Sequence, residues 1–153
     1  MGFDIIGKKA RNRKGEYFRS NGWWWRPLWK YAYEACNDIL TEKDLENGGF
    51  NDGHFIDSDK ATRIAVRLEH LLNQGEVKKY AEERQGKLDN MPDEVCDFCH
   101  GTGERNDIAP KQKCNRCKGQ GKARPWICYY PFDEENVKEF IEFCKNSGGF
   151  EIW

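Results

Sequence analysis

The chain has 153 residues, 38% of them hydrophobic, with a mean hydropathy of −0.94 and a formal net charge of −1. No run of about 18 apolar residues escapes a charge, which excludes a membrane-spanning helix. Six Trp, six Tyr and nine Phe beside a net charge near zero exclude wholesale disorder.

Met1 to Gly7 reads as a short strand with Phe3, Ile5 and Ile6 as its apolar content. It lacks the long apolar core of a secretory signal. Lys8 to Asn21 is polar and basic and reads as a loop. Trp23 to Leu40 is the most apolar stretch, and Pro27 predicts a helix start close to it. Leu28, Tyr31, Ala32, Ala35, Cys36 and Ile39 then recur at helical spacing. Thr41 with Asp44 is placed to cap a short helical turn. Asn47 to His54 is turn-rich.

Asp57 or Ser58 caps a helix to about Asn73, with Ile64, Ala65, Val66, Leu68, Leu71 and Leu72 as its apolar stripe. Gly75 suits its end. Glu76 to Lys87 is a polar helix packed through Val77, Tyr80 and Ala81, and Pro92 breaks it. Trp126 to Phe132 reads as a strand or extended return. Asp133 caps a last helix, Glu134 to Asn146, carrying Val137, Phe140, Ile141 and Cys144 on one face. Gly148 and Gly149 end it, and Phe150 to Trp153 forms a terminal strand. The expected fold class is α+β: three or four helices, a small sheet and a zinc-bound β-hairpin insert. The expected organisation is one domain, 1–153, with the hairpin module at 94–124.

Charge is distributed as a mosaic. Residues 1–35 carry 8 basic and 3 acidic side chains, and residues 96–125 carry 7 and 3, while the segments between and after them are acidic. The two basic segments can form one patch in space or belong to a mixed, solvated surface.

Seven cysteines without a signal sequence imply a reducing, cytoplasmic compartment, and an odd count excludes a complete disulfide framework within one chain. Four of them lie in CDFCHGTG (Cys96 to Gly103) and CNRCKGQG (Cys114 to Gly121), one CxxCxGxG motif written twice. Two residues between cysteines let both thiolates of a pair reach one ion. The glycines then permit the sharp turn that must follow. Fourteen residues separate the pairs, enough for a hairpin. Cys96, Cys99, Cys114 and Cys117 are therefore the expected ligands of one structural Zn²⁺, whose tetrahedral shell they fill. Such a site has no open position for water or substrate. His100 falls outside the repeated ligand pattern, and Cys36, Cys128 and Cys144 read as buried small hydrophobes. Arg105, Lys111, Lys113, Arg116, Lys118, Lys122 and Arg124 offset the formal −2 of a tetrathiolate zinc.

The doubled CxxCxGxG resembles half of the zinc-finger region of the DnaJ family of co-chaperones, which carries four repeats and two zincs. The likeness covers about 26 residues. The His-Pro-Asp tripeptide of a J-domain and a Gly/Phe-rich linker are missing, so the resemblance implies only a client- or partner-binding hairpin. The opening MGFDIIG, then GEYFR with WWWRPLW, PWICYYPF and the terminal SGGFEIW are similar to small bacteriophage and prophage proteins. That resemblance implies a phage accessory protein binding host machinery, of the anti-CRISPR or other anti-defence kind.

Trp23, Trp24, Trp25 and Trp29 lie within seven residues, with Arg26 among them. On a helix, consecutive side chains point about 100° apart, so three in a row cannot share one core. They form either an aromatic clamp between this helix and the C-terminal segment, or a partner surface, since Trp and Arg are enriched at binding hot spots. A base-stacking platform is a third reading. Asn51, Asp52 and His54 sit in a turn; Glu69 and His70 are candidates to assist them, but no motif links them. P-loop, GxGxxG, HExxH and GxSxG patterns do not occur.

The expected function is a non-enzymatic zinc-binding interaction protein whose partner is a host protein or protein complex. Its expected contact residues are Trp23, Trp24, Trp25, Arg26, Lys111, Arg116 and Lys118. One alternative is nucleic-acid binding through basic segments 8–30 and 105–124. Another is a small-ligand (nucleotide) protein or enzyme using the aromatic region and the NDGH turn.

Overall fold

The first apolar stretch is extended, as expected. In the computed structural model, described for residues 2–105, 107 and 110–153, strand β1 spans Gly2–Gly7. Met1 of the expected strand and residues 106, 108 and 109 of the hairpin module lie outside the described residues. The segment read as a loop is structured: after the short helix α1 (Arg13–Glu16) comes β2 (Tyr17–Asn21), antiparallel to β1 with Ile5 opposite Phe18. Long-range pairing makes this strand. Its alternation, with Phe18 and Ser20 inward, was masked by flanking charge.

Helix α2 (Gly22–Ala35) begins five residues before Pro27, where the Asn21 side chain accepts from the backbone N–H groups of Trp23 and Trp24. Pro27 therefore lies inside the second turn, at the loss of one ladder hydrogen bond. Thr41 and Asp44 do form a reciprocal capping box on α3 (Glu42–Gly48). Strand β3 (His54–Ile56) follows, then α4 (Ser58–Asn73), capped by Asp57, and α5 (Glu76–Asp89).

After four two-residue strands described below, Trp126–Tyr129 is a 3₁₀ turn rather than the expected extended return. Asp133 caps α6 (Glu134–Ser147), which ends at Gly148 in the left-handed conformation. The last strand, here numbered β8 to follow those four, is Phe150–Ile152. The fold is α+β with six helices, more than the expected three or four because the N-terminal and α3 turns also qualify.

The chain divides into two compact units: unit 1 is Met1–Glu83 with Tyr130–Trp153, and unit 2 is Arg84–Tyr129. The sequence suggested one domain carrying a 94–124 module; unit 2 extends past that module at both ends.

Unit 1 is built on an antiparallel sheet of order β2-β1-β8-β3, so the C-terminal strand sits between two strands from the N-terminal half of the chain. Its inward residues Phe3, Ile5, Phe18, Ile56, Phe150 and Ile152 pack against α2, α4 and α6. Trp25 and Trp29 are buried and stacked, with ring centroids 5.3 Å apart. Trp25 meets Phe140 edge-on and Trp29 meets Phe150 likewise, so the clamp joins α2 to the C-terminal segment. Both indole N–H groups are satisfied, on the carbonyls of Gly48 and Asp44. Val66, expected in the α4 stripe, is exposed instead. Ile64, Ala65 and Leu68 supply the buried face, and a helix stripe cannot hold all of 64, 65 and 66.

The other sheet face carries exposed side chains. Ile6 is registered between Tyr17 and Glu151, Glu151 is registered with Phe55, and Trp153 exchanges backbone hydrogen bonds with Asp4. Directly paired residues project to one side of a sheet. Tyr17, Ile6, Phe55 and Trp153 thus share this face and are between 41 and 50% exposed.

Candidate metal centre

The repeated sequence folds as a repeated structure. Strand β4 (Glu94–Val95) precedes the first cysteine pair and β5 (Glu104–Arg105) follows it; β6 (Gln112–Lys113) and β7 (Lys122–Ala123) flank the second pair in the same way. Each leading strand pairs with the trailing strand of the other repeat, β4 with β7 and β6 with β5. The exchange continues into the turns. Cys96 N–H donates to the Gly121 carbonyl at 2.9 Å, and Cys114 N–H donates to the Gly103 carbonyl at 2.8 Å. The two knuckles are related by an approximate two-fold axis.

Glycine is required where they cross. Gly103 and Gly121 have φ of 78° and 73°, and a Cβ on either would collide with the carbonyl oxygen of Gly119 or Gly101 from the other repeat. In each knuckle the second cysteine sulfur accepts a backbone N–H, Gly103 to Cys99 at 3.2 Å and Gly121 to Cys117 at 3.3 Å.

The four sulfurs of Cys96, Cys99, Cys114 and Cys117 are buried and lie within 4.8 Å of one another, an arrangement that could hold a metal ion. Cys96 and Cys114 Sγ are 3.7 Å apart, and Cys99 and Cys117 Sγ 3.6 Å. A tetrahedron with metal–sulfur distances of about 2.3 Å has edges of about 3.8 Å, so the cluster fits a tetrahedral thiophilic ion such as zinc.

The thiols themselves are unequal. Burial pushes the Cys96 thiol up to about 11. Burial acts the same way on Cys117, but the Gly121 N–H and the neighbouring thiols outweigh it and bring the group down to about 6. Cys99 is also lowered, with burial again opposed, chiefly by the Gly103 N–H. Backbone donors thus favour thiolate at the second cysteine of each knuckle.

The other expected site residues separate. Trp25 is fully buried in unit 1, which removes it from any contact surface: its side chain fills the core beneath the sheet. Trp23 is exposed and its ring packs 4.7 Å from that of Tyr130. Trp24 is half-buried and Arg26 is exposed. Lys111 and Lys118 are exposed on unit 2. Arg116 is not: its side chain is largely buried, with the guanidinium 3.9 Å from the Trp126 ring centroid and 5.2 Å from that of Tyr129. His100 is exposed at a φ of 50°. Cys36 and Cys144 are buried in unit 1, whereas Cys128 is half-buried in unit 2 near the Met91 sulfur, not the small core residue expected.

A second polar cluster escaped the sequence reading. Asp44 is buried and receives Lys60 Nζ at 2.7 Å, the Thr41 N–H and hydroxyl at 2.8 and 2.9 Å, and lies 2.9 Å from His54 Nε2. Burial works against its charge, but these partners, Lys60 foremost, hold its carboxyl well below the usual range. His54 thus pairs with Asp44, while Glu69 pairs with Lys145 and His70 is exposed. The only early sign of this was the capping box at Thr41 and Asp44.

No family model, no curated protein and no solved structure matches the chain. The likeness to DnaJ-type zinc regions therefore stays with the four-cysteine pattern, and no helix of the described residues is long and apolar enough to cross a membrane.

Proposed function

We propose that the protein is a non-enzymatic interaction protein, stabilised by one structural Zn²⁺, that binds a host-cell protein or protein complex. The observation that carries this is the open sheet face of unit 1. Large apolar side chains are exposed on it, Tyr17 and Ile6 on one side of Glu151 and Phe55 on the other, with Trp153 two residues along from Glu151. Contiguous exposed apolar surface with a polar rim marks protein contacts. Here charges of both signs lie within the face: Glu151, between Ile6 and Phe55, pairs with Lys8 at 2.9 Å, and Asp4, between Arg19 and Trp153, accepts from the Tyr17 hydroxyl. Four thiolates close the metal shell, which supports a structural and not a catalytic ion. The resemblance of the terminal motifs to small bacteriophage proteins supports a host protein as the partner, and an inhibitory, anti-defence role for the complex.

The test is an affinity capture from nuclease-treated bacterial lysate with wild type, Phe55→Glu and Trp24→Ala, each verified as folded and zinc-loaded. One specific protein recovered by wild type and lost in Phe55→Glu supports the reading. Recovery equal in Phe55→Glu but lost in Trp24→Ala moves the contact to α2. The absence of any specific protein across repeats overturns it.

A further inference from the structure

Strand β2 forms one edge of the unit 1 sheet, and its middle residue keeps unused backbone polarity. Asp4 of β1 exchanges both of its backbone hydrogen bonds with Trp153, at 2.6 and 2.9 Å. Those groups of Asp4 therefore point away from β2, and Asp4 with Arg19 opposite it is a non-hydrogen-bonded pair. The N–H and C=O of Arg19 consequently point outward from the sheet edge, and among the described residues nothing bonds them. Unpaired strand groups of this kind are a template for another strand.

A groove runs along this edge. Two adjoining hollows of about 340 and 360 Å³ lie between β2 and α6, and Glu135 and Glu139 line both. The first takes in Arg19, Ser20 and Asn21 and the second Tyr17 and Phe18, so together they follow the whole strand, about 17 Å long. Tyr17 and Arg19 project from the open face, and Phe18 and Ser20 from the inner one. Hollows that touch both sets and α6 wrap the edge itself. Lys14 of α1 lies at one end and Trp24 of α2 at the other. The ends differ in chemistry. At the Trp24 end the lining holds Asp133, Glu135 and Glu139 against one cation, Arg19. Glu139 has no ion pair among the described residues, and Glu135 has only Lys138, at 3.5 Å. At the Lys14 end Tyr17, Phe18 and Phe143 supply apolar surface, and Glu142 is paired with Lys14 and Lys145.

We propose that the β2 edge and the α6 wall bind an extended segment of a partner protein as a fifth strand, antiparallel to β2, with Lys or Arg two residues before a large apolar side chain. Main-chain bonds to Arg19 set the register, and alternate side chains enter the groove. The segment residue opposite Arg19 points outward with it. Its two neighbours, opposite Ser20 and Phe18, point inward. In an antiparallel segment the residue opposite Ser20 comes first. A cation there comes beside Glu139 and Trp24, and an apolar side chain opposite Phe18 comes against Phe18 and Phe143. A second copy of this chain fits poorly. Pairing β2 with itself about Arg19 sets the two Arg19 side chains opposite each other and brings the two acidic α6 walls together. The inference is independent of the apolar face proposed above, because β2 and the Phe55 strand β3 are opposite edges of the sheet.

The experiment pans a phage-displayed library of random nine-residue peptides against the full zinc-loaded chain. Lys or Arg two positions before a large apolar residue should be enriched. A synthetic peptide of the enriched sequence is then the probe, in fluorescence anisotropy and in amide exchange. At about 90% occupancy the Arg19 amide should exchange about tenfold more slowly. N-methylation of the peptide residue between the cation and the apolar side chain should weaken binding about tenfold, since it removes the N–H that reaches the Arg19 carbonyl. Glu139→Lys should weaken it about fivefold, and Phe55→Glu should leave it unchanged. Circular dichroism verifies that each variant is folded. The absence of any enriched sequence overturns the proposal, as does a bound peptide that leaves Arg19 exchange unchanged. Dimerisation in sedimentation that protects the Arg19 amide without peptide also overturns it and assigns the edge to a second copy.

Discussion

Unit 1 buries Phe3, Ile5, Trp25, Trp29, Phe140 and Phe150 in one continuous core, whereas the buried cluster of unit 2 is four cysteines and Ala123. The strands differ accordingly. Those of unit 1 run three to six residues and share a sheet, and those of unit 2 are two residues each. A cluster so poor in carbon cannot offset the entropy of ordering its chain, so in unit 2 bonds from the four sulfurs to a metal ion would take the place of hydrophobic burial. Their surfaces differ too. Unit 1 presents apolar side chains interspersed with paired charges, and residues 111–124 of unit 2 carry six Lys or Arg and no carboxylate.

The largest effect expected from this contrast is metal dependence confined to one unit. Chelation of zinc, or Cys114→Ser, should unfold residues 94–124 while the unit 1 sheet persists, because structural zinc contributes on the order of 10–16 kcal/mol to small zinc-held folds. Amide hydrogen exchange would show it. Equal loss of protection in β1 and β8 would break the contrast.

The converse perturbation is Trp25→Ala, which removes a buried indole and its bond to Gly48 and should cost about 3–5 kcal/mol. Urea melts followed by unit 1 signals should shift, with stoichiometric zinc retained before the transition.

Next is the Asp44 cluster. Asp44→Ala leaves Lys60 and His54 without their carboxylate and should destabilise unit 1 by about 3 kcal/mol. Because the folded carboxyl is depressed, its contribution is complete above the ordinary Asp value of 3.8 and is lost as pH falls below that towards the folded value. Acid also competes for the zinc thiolates, and this begins nearer neutrality. An acid titration should therefore release zinc first and lose the wild-type advantage over Asp44→Ala last. Reversal of that order would sink both assignments.

The smallest effect is Arg116→Lys. It keeps the charge but loses the planar contact with Trp126 and Tyr129, at a cost of about 1 kcal/mol, read as faster zinc transfer to a chelator.

Much of this was legible in the chain. Helices α4 and α6 carry their caps and stripes in sequence, and α3 its capping box, because those signals act over three or four residues. The metal centre was legible for the same reason: CxxCxGxG encodes ligands and turn together. Strand β2 was not, since Tyr17–Asn21 becomes a strand only by pairing with β1. Nor was the fate of the tryptophans. Their number signalled importance, but only the α2 register separates buried Trp25 from exposed Trp23.

The sequence by itself determined the α+β class, the four cysteines that cluster and the glycines that let two knuckles cross, all properties of short stretches of backbone. Tertiary structure alone decided that β8 inserts between β1 and β3, that Asp44 gathers Lys60 and His54, and that Arg116 sits under Trp126. Those contacts join residues from 10 to 147 positions apart. No local propensity reaches so far, and only burial and pairing in the folded chain select them.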